Sequence, residues 1–319
     1  MRPILLKGHK GPLTCVKYNK DGDLLFTTCR RGGVNLWYSD DGERIGTYNN
    51  HNGAVMYVDV NFACTRLATA SMDATARIWD VETGKVLREF KTQAGNRCAS
   101  FATGDKRLAV LTDPWGDQPC CIQIFDTESG DSPVMRIPMD VGVAKATRAL
   151  WGPLNKKILV SNEAGGILSY EAATGECLIE RCDFEQEIPD FTYSQDMMTF
   201  IVASKDHTAM LYDTNTLEPI RKYVSDRPIN SAAISPLMDH VVIGGGQDAS
   251  AVTTTAGRSG RFQALFYHKI FENEIGSVQG HFGPINSLAF NPDGRSFTSG
   301  GEDGYVRVHH FDPEYFSLE

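Results

Sequence analysis

The amino-acid sequence predicts an all-β chain folded into a seven-bladed β-propeller. Three observations predict it. An identical offset occurs at three places: His9 precedes Trp37 by 28 residues, His51 precedes Trp79 by 28, and His281 precedes His309 by 28. A slot for a large side chain recurs at positions 37, 79, 125, 170, 212, 254 and 309, marking seven units about 40–45 residues apart except for a longer last interval. The chain also carries 30 glycines and 14 prolines in 319 residues, enough for the tight turns that many short strands require.

Taken in order, the units span approximately 8–49, 50–91, 92–140, 141–182, 183–224, 225–279 and 280–312, the last completed by 1–7. The second is the clearest. Val55–Val60, Leu67–Ser71, Ala76–Asp80 and Val86–Phe90 read as four strands rich in β-branched and aromatic residues, with Val81-Glu82-Thr83-Gly84 as a turn. The first unit has Trp37-Tyr38 but places Arg31 where others carry an aspartate. The third has Phe125-Asp126 after a longer turn, and the fourth has Ala164 and Tyr170-Glu171. In the fifth, Phe184 takes the histidine slot, followed by Asp206 and Tyr212-Asp213. The sixth puts Asp248 in the aspartate slot and Thr254 in the aromatic one, and Arg258–Phe262 extends its hairpin. The seventh has His281, Asp303 and His309-His310 but only three strands. The apolar stretch within residues 2–7 is therefore expected to supply its outer strand, closing the ring and covering an open edge.

Within a complete unit the recurring polar residues can form a hydrogen-bonded chain beneath the blade surface. In the second unit this chain is expected to be His51, Ser71, Asp73 and Trp79. Each bond contributes about 1 kcal/mol, and an unpaired member costs about 1–3. These are structural residues. Gly244-Gly245-Gly246-Gln247-Asp248-Ala249 formally matches a dinucleotide fingerprint, but that motif needs a helix to follow, and Ser250–Thr255 favours a strand. No nucleophile-elbow, phosphate-loop or zinc-protease motif occurs, and the eight cysteines show no metal spacing. No catalytic residue, cofactor or metal site is expected. His309 and His310 are strand neighbours pointing to opposite faces, so they make no metal pair.

The 31 Lys and Arg against 40 Asp and Glu give a net charge of −9, which disfavours strong direct nucleic-acid binding. No apolar run suits a signal core or a membrane span, and the thiols read as small buried groups, so a cytoplasmic protein is expected. Arg30-Arg31 and Lys156-Lys157 read as solvated turns. Tyr223-Val224-Ser225-Asp226-Arg227-Pro228 stands out more: an acid and a base beside an aromatic, at a proline-stiffened junction between units.

Gly-His and Trp-Asp pairs at these spacings resemble WD repeats. Further segments are more specific: Met1–His9, Gly152-Pro153-Leu154, Asp206-His207-Thr208-Ala209, Arg227–Ala233, Gly244–Gln247 with Val252–Thr255, His281–Ser287, Gly300–Arg307 and the tail Phe311–Phe316. Together they resemble the family of subunit i of eukaryotic translation initiation factor 3. The resemblance implies a non-enzymatic scaffold of that complex, acting on the 40S ribosomal subunit. It implies that a C-terminal helix of subunit b docks around blades five and six and that subunit g associates. It points to Asp206, Asp226 and Arg227 at that surface, with Tyr223 as an apolar anchor. Two other readings share the repeat: a signalling or ubiquitin-ligase adaptor, and a propeller enzyme using carboxylates or a metal in the central channel. The last needs clustered Asp, Glu or His on the innermost strands, where strand a offers Asp59 among mostly apolar and small residues.

Overall fold

In the computed structural model, residues 3–139, 144–246 and 262–317 are described, and they build seven four-stranded antiparallel sheets. In blade two, Val55–Val60, Arg66–Ser71, Thr75–Asp80 and Val86–Lys91 lie side by side in chain order. The first strands of neighbouring blades pack on one another, so they line the axis of a ring. We label the strands of each blade a to d from the axis outward. The three inner strands are covered on both faces by adjacent blades and read as nearly unbroken buried runs, such as Arg66–Ser71. The outer strand Val86–Lys91 is only partly covered, and among its residues Phe90 alone is fully buried. Packing, not backbone preference, thus sets the composition of each strand.

Two irregularities repeat. Strand a slips register by one residue against strand b at Leu13/Cys15, Val55/Tyr57, Asn96/Cys98, Ala146/Arg148, Ile229/Ser231 and Ile285/Ser287. Strand c slips against strand d at the aromatic slot, between Leu36 and Trp37, Ile78 and Trp79, Ser169 and Tyr170, Leu211 and Tyr212, and Phe266 and Tyr267. Such bulges strengthen the twist that lets a four-stranded sheet act as a propeller blade.

The second series corrects the sixth unit. Its strand c is Ala264–His268, paired with both His240–Gly245 and Glu274–Val278, and Tyr267 stands opposite Val241 in the aromatic slot. Thr254 does not hold that slot. A constant spacing from Tyr212 lands inside an insertion between strands b and c. Thr254, Asp248 and Arg258–Arg261 lie outside the described residues. Gly244 and Gly245 belong to strand b, where a Cβ on Gly245 would collide with the Pro228 carbonyl.

The ring closes as expected. Pro3–Leu6 pairs antiparallel with Val306–His310, with Ile4 opposite Val308 and Leu6 opposite Val306. Leu6 is buried with Leu13, Val16, Leu25, Trp37, Val306 and Val308, a core shared by blades one and seven. Polar bonds cross the same seam: Val16 N–H to Ser287 Oγ (3.1 Å), Tyr18 with Thr298 Oγ1 (2.5 Å) and Asn291 Nδ2 to the Gly22 carbonyl (2.9 Å). The tail Pro313–Ser317 folds back: the Tyr315 ring stacks on Phe311 at 3.8 Å, and its hydroxyl meets His240 Nδ1 at 2.9 Å.

Candidate partner-docking surface

The polar chain of blade two exists with one substitution of members. His51 Nδ1 lies 2.9 Å from Asp73 Oδ2, and His51 Nε2 lies 2.7 Å from Thr69 Oγ1, which also accepts the Trp79 indole N–H at 2.9 Å. Ser71 is not in the relay; its hydroxyl accepts the Asp73 backbone N–H at 3.2 Å. Thr69 and Ser71 share a face of strand b, and the indole reaches the nearer one. Burial pushes the Asp73 carboxyl up, but bonds from Thr75 and His51 outweigh it and hold the group at about 2. Burial likewise lowers His51, so a neutral ring donates to a carboxylate.

Other blades vary the theme. In blade seven His281 contacts Asp303 Oδ1 (3.1 Å) and Ser299 Oγ (2.8 Å), while His309 in the aromatic slot stacks on Phe297 at 4.6 Å. In blade five Phe184 replaces the histidine, and the Tyr212 hydroxyl donates to Asp183 Oδ2 at 3.1 Å. In blade one His9 Nε2 meets Thr27 Oγ1 at 2.7 Å and Trp37 donates to the same oxygen at 2.8 Å, with Arg31 in place of the aspartate.

The charges near the axis neutralise one another. Inside the channel, Arg148 Nε lies 3.1 Å from Asp190 Oδ1, whose Oδ2 accepts from Ser231 Oγ at 2.9 Å. Lys17 Nζ lies 3.3 Å from Asp59 Oδ1. The Arg148–Asp190 pair is buried and joins blades four and five. It lies beyond a reading of single units, because its members are 42 residues apart in neighbouring repeats. Around one mouth, Lys205–Glu187 (2.7 Å), Arg97–Asp113 (2.5 Å), Lys145–Asp113 (3.1 Å) and Arg30–Glu302 (3.8 Å) form a rim of ion pairs. Among the described residues no group of three or more His, Cys, Asp or Glu is placed to hold a metal ion.

At the junction of blades five and six, Asp206 sits in the turn between strands b and c. Its Oδ1 accepts the Thr208 N–H (2.9 Å) and hydroxyl (2.5 Å), and its Oδ2 accepts the Glu185 N–H (3.1 Å). The Ser225 N–H donates to the His207 carbonyl at 2.8 Å, drawing the next connection against that turn. Asp206, Asp226 and Arg227 therefore share one end of the ring. Arg227 grips Asp226 through Nε–Oδ1 (2.7 Å) and Nη2–Oδ2 (3.1 Å). The arginine side chain is mostly covered, at 15 % exposure, while the carboxylate stands 71 % exposed.

Tyr223 is elsewhere. It is fully buried, packs on Tyr267 with ring centres 5.8 Å apart, and donates to the Lys269 carbonyl at 2.7 Å, so it ties blade five to blade six and presents no anchor to a partner. Its register position opposite Ala209 matches Tyr48 opposite Val34, whose hydroxyl likewise reaches the next blade at the Val81 carbonyl. The alternation of strand d turns the neighbouring Val224 outward, and this residue is 62 % exposed. Phe282, 86 % exposed, lies in the next such connection, between blades six and seven.

Among the described residues no helix is long and apolar enough to cross a membrane. The EIF3I family matches residues 1–319 of the chain. The chain is 48 % identical over 324 residues to eukaryotic translation initiation factor 3 subunit I of Bos taurus, covering 100 % of this chain and 99 % of the relative. It is 47 % identical to the Homo sapiens protein of the same name over 324 residues with the same coverage. The Bombyx mori relative is 44 % identical over 322 residues, covering 99 % of this chain and 97 % of its own length.

Proposed function

The chain belongs to the EIF3I family, and on that premise we propose that it is a non-enzymatic scaffold subunit of translation initiation factor 3. In this reading it grips a basic, amphipathic C-terminal helix of subunit b at the junction of blades five and six. It also associates with subunit g and reaches the 40S ribosomal subunit as part of the complex. The observation that carries the docking surface is the Asp226 carboxylate, held outward by a bidentate arginine beside the Asp206 turn. Arg227 fixes the carboxylate's position, so a partner lysine or arginine meets a charge already oriented. Val224, two residues before Asp226, supplies apolar surface next to it. A helix docked in this way is held by few apolar anchors ringed by charge, and a chain of net charge −9 favours a basic partner.

The test is a pull-down of the tagged full chain from cytosolic extract, followed by titration with the isolated C-terminal helix of subunit b. Recovery of subunits b and g, sedimenting in part with 40S, and a tenfold or larger loss of helix affinity in Asp226→Lys are expected. Recovery of ligase or receptor components without initiation-factor subunits would overturn the reading. An Asp226→Lys chain that binds the helix as tightly as the native one would overturn the assigned surface.

A further inference from the structure

A second surface, at the junction of blades one and two, is independent of this docking site. Here a cavity of about 370 Å³ is lined by Lys10, Arg31, Arg44, His9, Asn35 and Thr47 among others, and by no aspartate or glutamate. Its origin is the departure of blade one from the repeat. Asp73 pairs with His51 in blade two, and Asp303 lies against His281 and accepts from Arg307 in blade seven. Blade one carries Arg31 in that place, its stem lying against Gly11. Replacing an acid by a base changes the local charge by two units. Among the described residues none of Lys10, Arg31 and Arg44, all exposed, forms a salt bridge, and the cavity lining holds no carboxylate to neutralise them.

A further donor is left over. Asn35 is 2 % exposed, its Oδ1 accepts the Thr47 hydroxyl at 2.9 Å, and its Nδ2 has no acceptor among the described residues. A methyl group placed on Gly8 would lie 3.2 Å from both this Nδ2 and Arg44 Nη1 and 2.9 Å from the Trp37 ring, so the glycine lets the chain pass close to both donors. The positive field is felt nearby: burial chiefly, and Arg44 after it, lowers His9 to about 4.

We propose that this cavity binds the phosphoryl group of a phosphorylated serine or threonine on a partner polypeptide. Three unpaired cations around a cavity with no carboxylate in its lining suit a dianion with three acceptor oxygens better than a single carboxylate. Polynucleotide phosphate has the same local chemistry. A chain of net charge −9 repels a polyanion, while one dianion on a neutral or basic segment escapes that repulsion. A free phosphate ion would fill only part of the cavity, and a phosphorylated side chain brings its own backbone to the rim formed by Asn49 and Asn50.

The experiment uses the full chain and four probes read by fluorescence anisotropy: degenerate octapeptides centred on phosphoserine, on serine or on glutamate, and single-stranded oligo(U). The phosphoserine library is expected to bind at least tenfold more tightly than the serine and glutamate libraries, and millimolar inorganic phosphate should compete it off. Arg31→Asp and Arg44→Gln should each weaken binding about tenfold, the loss of one charge-assisted contact. Arg31→Asp restores the acceptor that blades two and seven possess, so it should melt at or above the native temperature. If it fails to fold, the exposed Arg44→Gln alone decides. Equal binding of the three peptide libraries, no binding at millimolar peptide, or indifference to both substitutions would overturn the site. Tighter, Arg31-dependent binding of oligo(U) would overturn the peptide source.

Discussion

His51 and Trp79 meet at a single hydroxyl: the imidazole Nε2 and the indole Nε1 lie 2.7 and 2.9 Å from the Thr69 oxygen. Thr69 thus satisfies two buried nitrogens at once. Thr69→Val should cost about 1–3 kcal/mol for each stranded group, and Ser71→Ala about 1 kcal/mol or less. Urea unfolding of the two variants checks the ranking; equal losses would return Ser71 to the relay.

Stability should fall as the medium is acidified. His9 and His309 have folded values lowered to about 4 and about 3, in both cases mainly by burial. The unfolded ring titrates near 6.5 and binds the proton first, so this contribution is present above about pH 6.5 and is lost as pH falls toward 4 and 3. Asp73, held at about 2, adds a second loss between about pH 4 and 2. A urea midpoint that declines from pH 7.5 to 4.5 is expected, and a flat profile would contradict the assignment.

Removing residues 1–7 deletes the outer strand of blade seven and exposes the edge of Val306–His310. A markedly lower melting temperature and self-association are expected. Leu6→Asp should reproduce much of the effect by burying a charge in the core shared by blades one and seven. An unchanged melting curve in both chains would rule out closure by this strand.

Burial separates Tyr223 from Asp226. Tyr223→Ala should cost about 3–5 kcal/mol through the cavity it leaves. Asp226→Lys, at an exposed position, should shift unfolding by about 0.5 kcal/mol or less and act on partner affinity. Denaturation and helix titration on the same two variants resolve these roles, and the reverse pattern would refute them.

The buried pair Arg148–Asp190 gives an asymmetric expectation. Arg148→Met strands a carboxylate in the channel wall and should cost about 3–5 kcal/mol, whereas adding Asp190→Leu should recover most of that loss. Calorimetry of the single and double variants tests it; additive losses would mean that the two groups do not act as a pair.

Seven units and the closing strand were legible because each rests on a pattern that survives without neighbours: a fixed histidine-to-aromatic offset, and an apolar stretch ahead of a three-stranded last unit. Thr69 was hidden from that logic, since two hydroxyls at spacing two share a face and only the register of strands b and c, with Leu67 opposite Trp79, decides which the indole meets. Tyr267 was missed because an insertion breaks the spacing, although the apolar run Ala264–Tyr267 before a turn was a usable signal. Tyr223 could have been read as internal from its equivalence to Tyr48. Arg148 and Asp190 are joined only when separate repeats are brought together. In Arg31 the departure itself was visible, but its unpaired surroundings were not.

Closure of the ring also has a timetable. Pro3–Leu6 is made about 300 residues before Val306–His310, its partner strand in the closed ring. At a synthesis rate of roughly 5–20 residues per second it stays unpaired for some fifteen to sixty seconds. Until Val306–His310 is made the ring cannot close, and an unpaired strand is the kind of edge that can template pairing with another chain. Chaperone engagement of the nascent arc, or simultaneous assembly with a partner, would be most valuable in that window, and ring stability measured on the finished molecule says nothing about passage through it.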